Sequence, residues 1–93
     1  MRAALYQDFK LSKVGSNDLG VTGVLANNGS RTWRNVSIEL KVLATDGKTV
    51  IGTAMDYFSG DIGPGQAWKF NAIVAHQGLY RVELNKIDGT LVE

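Results

Sequence analysis

The chain has 93 residues, 44% of them hydrophobic, and its ten basic and nine acidic residues leave a net charge of +1. That length makes one domain, 1–93, which buries roughly 60–65% of its unfolded surface. The composition is too apolar for disorder, and the balanced charge offers no field of one sign to draw in nucleic acid or an anionic membrane. The absence of cysteine excludes disulfides, thiolate metal sites and a Cys nucleophile. No apolar run approaches the ~20 residues that span a bilayer, so no membrane insertion by this segment is expected. The start of the chain, Met1 to Asp8, lacks a long apolar core and meets an acid early, which does not read as a signal peptide.

In chain order, Leu5, Gln7, Phe9 and Leu11 alternate with Tyr6, Asp8 and Lys10 and predict a first strand. Gly15-Ser16-Asn17-Asp18 reads as a turn. Leu19 to Asn27 predicts a second strand with Val21, Gly23 and Leu25 on one face. A glycine inside a strand marks a bulge or a close backbone approach. Asn27-Asn28-Gly29-Ser30 ends it, and Arg31-Thr32-Trp33-Arg34 falls outside any alternation and reads as a loop.

The stretch around which the chain is organised follows, from Asn35 to Gly52. Val36, Ile38, Leu40, Val42 and Ala44 alternate with Ser37, Glu39, Lys41 and Thr45, the period of a strand with one buried face. Asp46-Gly47 then predicts a two-residue turn with positive φ at the glycine. That turn pairs Val42 with Ile51, Leu40 with Thr53, Ile38 with Met55 and Val36 with Tyr57. A slip of one residue would turn Asp56 inward, and burying an unpaired carboxylate is costly, so the first register is expected.

Ser59 to Gln66 predicts a long turn, with Pro64 presetting φ and the glycines permitting the reversal. Trp68, Phe70, Ala72 and Val74 alternate as a strand, His76-Gln77-Gly78 turns the chain, and Tyr80, Val82 and Leu84 alternate as another. Asp88-Gly89 predicts a last turn into Thr90-Leu91-Val92. About seven short strands with one-sided alternation predict an all-β fold, an immunoglobulin-like antiparallel β-sandwich. A small closed barrel is the alternative.

Several pieces of this chain resemble the FxLYD domain, a bacterial immunoglobulin-like module of extracytoplasmic proteins and lipoproteins. They are Gly23-Val24-Leu25-Ala26-Asn27, the alternating strand closing on Asp46-Gly47, and Ile62-Gly63-Pro64-Gly65-Gln66 followed by Phe70. Their order and spacing are similar over roughly Val21 to Leu84. Where the name-giving Leu-Tyr-Asp falls, Leu43-Ala44-Thr45-Asp46 keeps the Leu and the Asp. The resemblance implies a non-catalytic module in the periplasm or cell envelope, and it transfers no catalytic residue.

Chemistry-bearing residues are sparse. His76 is the only histidine, and a turn position explains it more simply than a triad or metal site. Asp46, Asp56, Asp61 and Asp88 could cage calcium only if the fold brought them together, and their spacing is not that of an EF-hand loop. No metal or other cofactor is expected. Asn28-Gly29-Ser30 and Asn35-Val36-Ser37 fit the N-glycosylation pattern, which arises often by chance. The candidate binding residues are Arg31, Trp33, Arg34 and Tyr57. The Arg-Trp-Arg loop joins residue types enriched at binding hot spots, and Trp33 with Tyr57 could stack on sugar rings, but a Trp that caps the end of the sandwich is the simpler account of Trp33. The expected function is therefore a non-catalytic binding or structural module with a protein partner. A carbohydrate-binding module using exposed aromatics is the alternative, and an unpaired edge strand is the second candidate contact surface.

Overall fold

The computed structural model describes residues 7–17, 20–74 and 80–92. Six strands lie among them: β1 (Phe9–Asn17), β2 (Gly20–Asn27), β3 (Thr32–Leu43), β4 (Val50–Ile62), β5 (Ala67–Ile73) and β6 (Arg81–Val92). They form two antiparallel three-stranded sheets, ordered β1-β2-β5 and β4-β3-β6. The first, second and fifth strands share one sheet and the third and sixth the other, as in an immunoglobulin-like sandwich, while β4 pairs with β3 rather than joining the β1-β2-β5 sheet. The expected β-sandwich is what the chain builds.

The core lies between the sheets and follows the alternation. Val36, Ile38, Leu40 and Val42 of β3 face Val21 and Leu25 of β2 and Trp68, Phe70 and Ala72 of β5 in one buried cluster. Gly23 sits directly opposite Phe70, and a Cβ there would stand 2.6 Å from the ring. The glycine is a close approach: its missing side chain is the space that the Phe70 ring fills. Trp68 links Phe70 to Phe58 across the sheets, at centroid distances of 5.9 and 5.8 Å.

Several boundaries differ from expectation. Gln7 and Asp8 are helical and β1 starts at Phe9, while Leu5, where the expected first strand begins, lies outside the described residues. β1 runs through the expected turn at Gly15 to Asn17, pairing Asn17 with Gly20 after a bulge between Ser12 and Gly15. β4 likewise runs on to Ile62, so the long turn shrinks to Gly63–Gln66. There the Gln66 amide donates to the Gly63 carbonyl and Gly65 has φ +79°, the turn that a Pro-Gly pair favours. Asp88-Gly89 does not turn; β6 continues to Val92, held by pairing with Thr32, Trp33 and Arg34. The turn at His76-Gln77-Gly78 lies outside the described residues.

The central hairpin takes the register that the sequence argument rejected. Val42 pairs with Gly52, Leu40 with Ala54, Ile38 with Asp56 and Val36 with Phe58. The loop is longer than two residues: the Ala44 amide donates to the Thr49 carbonyl, and the Gly47 amide to the Ala44 carbonyl. Gly47 does have positive φ, +74°. The premise that failed concerns Asp56. It lies at the margin of the sandwich, where its carboxylate accepts from the Tyr57 amide and, across the gap, from the Asn71 amide of β5, each at 2.8 Å. An inward carboxylate with two amide donors carries no penalty of the unpaired kind.

Candidate functional site

The candidate residues divide between two places. Trp33 is not in a loop. It is the second residue of β3, 1% exposed, and its ring belongs to the core. It escapes the alternation because of Asn35, which takes left-handed φ of 56° where the pairing with β4 shifts between Arg34 and Val36. An extra residue in a strand changes the phase of every side chain beyond it. Trp33 and Val36 therefore both point inward, and Asn is one of the few residues that tolerates that conformation.

Around Trp33 the chain builds a buried polar cluster. The Trp33 Nε1–H donates to Asp8 Oδ2 at 2.7 Å. The Arg31 guanidinium lies 5.5 Å over the indole ring and 3.3 Å from the same carboxylate. Asn27, fully buried, donates through Nδ2 to the Arg31 and Ile62 carbonyls and accepts from the Gly29 amide. Its backbone amide donates to Gln66 O, and its carbonyl accepts from Gly65. The asparagine ending β2 thus locks the Gly63–Gln66 turn and the Arg31 strand entry together. Among the described residues no buried side-chain polar atom lacks a partner. This end of the molecule is internally satisfied, and neither the ring of Trp33 nor the carboxylate of Asp8 is presented to a ligand.

Arg34 and Tyr57 are instead on the outer face of the β4-β3-β6 sheet. Arg34 holds Asp61 through two hydrogen bonds, Nε to Oδ1 at 2.7 Å and Nη2 to Oδ2 at 3.3 Å. Those bonds, with the attraction of the opposite charges, lower the Asp61 carboxyl and raise the Arg34 guanidinium from their ordinary values. Tyr57 donates its hydroxyl to Asn35 Oδ1 at 3.0 Å while its ring stays in solvent. The slipped register places Met55 beside it on the same face, opposite Glu39, with Thr53 opposite Lys41.

The outer face is therefore divided. Along β6 it is charged: Lys86 pairs with Asp88 at 3.3 Å, and Asn85 donates to Glu39. Along β4 it is uncharged from Val50 to Met55. Four of the six large hydrophobic residues exposed among the described residues lie on this one strand: Val50, Ile51, Met55 and Tyr57. The sequence pointed to Tyr57 and missed Ile51 and Met55. The signal that could have found them was the run Gly52-Thr53-Ala54-Met55-Asp56, in which small residues occupy the inward phase.

The aspartates remain apart. Asp46 accepts from the Thr49 and Lys48 amides and the Thr49 hydroxyl, which hold its carboxyl below its ordinary value. Asp56 holds Asn71, Asp61 holds Arg34, and Asp88 pairs with Lys86. Among the described residues no three acidic, histidine or cysteine side chains gather as a metal site. Compared with known proteins, the chain matches no family model, no curated protein and no solved structure.

Proposed function

We infer that the chain is a non-catalytic β-sandwich module that mediates protein interaction, and that its contact surface is the outer face of β4. The observation that carries this reading is the exposure of Met55 and Tyr57, each 57%, on an edge strand without charge from Val50 to Met55. Apolar groups left in water together on one strand face are the pattern of a surface that another chain covers. Tyr57 is also of a residue type enriched where binding energy concentrates. The burial of Trp33 removes one of the two rings on which a glycan platform would rest. The non-catalytic reading is supported by a sequence with no cysteine and a single histidine. A place in a bacterial envelope or extracytoplasmic protein rests on the FxLYD resemblance alone.

The test is a photo-activatable cross-linking residue placed at Met55 and, separately, at Thr22, which is exposed on the outer face of the other sheet. Discrete cross-linked products from position 55, with none from position 22, are expected. Equal yields from both positions would remove β4 as the contact surface.

A further inference from the structure

We propose that Met55 is an oxidation site for hydroperoxides, and that conversion of its thioether to the sulfoxide turns the outer face of β4 polar while the sandwich stays folded. The proposal rests on the reading of that face as a contact surface and adds the chemistry that would regulate it.

The first question is what an oxidant can reach. The chain has no cysteine and two methionines, and Met1 lies outside the described residues. Met55 therefore carries the only sulfur among the described residues, and it is 57% exposed. Trp33 and Trp68, whose indoles are also prone to oxidation, are buried, at 1% and 8% exposure. A thioether is soft and polarisable, and it reacts where solvent reaches it.

The position of Met55 gives the reaction a consequence. It stands between Ile51 and Tyr57 along the exposed side of β4. Those neighbours offer a peroxide only a hydrocarbon and a phenol, and neither readily accepts an oxygen atom from it. In the pairing with β3, Met55 lies opposite Glu39, whose carboxylate accepts from Asn85. The charged zone thus ends at Glu39, and the apolar stripe begins at Met55. A sulfoxide replaces an apolar group by a polar one with an acceptor oxygen. Polarity then extends across β4 and cuts the stripe between Ile51 and Tyr57. The Met55 side chain is outside the core cluster, so no buried contact is lost. Changes at exposed positions of that kind alter stability little.

The step balances between the protein and the peroxide. A lone pair on Met55 Sδ attacks one peroxide oxygen, and the S–O bond forms as the O–O bond breaks. The proton on the transferred oxygen passes to the departing one, which leaves as water or an alcohol. Sulfur gives up two electrons and the peroxide gains them. A dithiol-dependent sulfoxide reductase runs the change backwards, removing the oxygen as water and leaving a disulfide on the reductant. The modification is therefore reversible, as a switch requires.

Hydrogen peroxide added to the purified chain tests this. Peptide mass mapping should find Met55 oxidised at a rate within roughly tenfold of that of N-acetylmethionine amide in solution. The thermal midpoint and far-UV circular dichroism should match those of the untreated chain. Retention on a phenyl-bearing chromatography matrix reads the polarity of the face. The oxidised chain should elute earlier, and reductase treatment should restore its retention. Met55→Gln should elute early without peroxide. Met55→Leu should keep its retention through peroxide treatment, which assigns the shift to this residue and not to Met1. Oxidation of Met55 slower than that range overturns the proposal. So does unfolding on oxidation, or unchanged retention once Met55 is fully converted. Cross-linking from position 55 is a separate result: its failure removes the contact surface, whereas the mass and retention measurements read the oxidation alone.

Discussion

At the Trp33 end of the sandwich a carboxylate is buried, and along β4 a methionine and a tyrosine stand in water. Both depart from the ordinary separation of polar and apolar groups, and they differ in how the departure is compensated. Asp8 is 7% exposed, yet it has an indole N–H at 2.7 Å and a guanidinium at 3.3 Å. Its desolvation is offset within the chain. Met55 and Tyr57 have no such compensation from the chain, beyond one hydrogen bond from the tyrosine hydroxyl. A satisfied buried polar cluster is a reason for a structure to hold, whereas an exposed apolar face adds little to it. That contrast separates the residues that keep this module folded from those that would serve its partner.

The largest effects should come from the buried region. Trp33→Ala and Phe70→Ala each remove a ring from the core and should cost about 3–5 kcal/mol. Chemical denaturation would show it as a lower midpoint, and a Trp33→Ala protein of unchanged stability would return that ring to the surface. Next is Asp8→Ala, which strands the Trp33 indole N–H without an acceptor and should cost about 1–3 kcal/mol. The same denaturation experiment measures it, with Asp8→Asn, which keeps an acceptor oxygen, expected to lose less.

Gly47→Val lies outside both regions and calibrates them. A branched side chain at φ +74° should cost about 1–2 kcal/mol through left-handed strain, read as a fall in thermal midpoint. Met55→Lys and Tyr57→Ser should stay within about 0.5 kcal/mol of wild type, because exposed positions contribute little to folding. If either cost as much as Asp8→Ala, the β4 face would be structural and the contrast would collapse.

The smallest effect is one of pH. The carboxyls of Asp46 and Asp61 are held below their ordinary values, so the folded state binds fewer protons than the unfolded chain across the carboxylate range. Their stabilisation is present above the unfolded-state pKa and is lost as the pH falls through the folded one. Thermal midpoints should decline on acidification, less steeply in Asp46→Asn and Asp61→Asn. Both groups are on the surface, so the difference should be slight.

Most of the fold was legible in local pattern. The alternation of β3 and β5, the inward Phe70, the close approach at Gly23 and the positive φ at Gly47 follow from the period of a strand and from what a Cβ forbids. The candidate site was legible only in Tyr57 and Arg34. Trp33 does cap the end of the core, but from a strand rather than a loop, because a single bulge at Asn35 changes the phase of the strand and nothing in Arg31 to Val36 announces which residue is the extra one.

The sequence by itself determined that two antiparallel sheets would share one core, because a period of two commits each strand to one wet face and one dry one. Only the tertiary structure decided which face of β4 was dry. Val50 to Phe58 carries apolar residues in both phases, so local pattern left the choice to a contact that is distant along the chain. The amide of Asn71, fifteen residues from Asp56, donates to the carboxylate that would otherwise forbid the slipped register. With Asp56 satisfied at the margin and Phe58 packed on Trp68, the remaining phase carried Ile51, Met55 and Tyr57 outward.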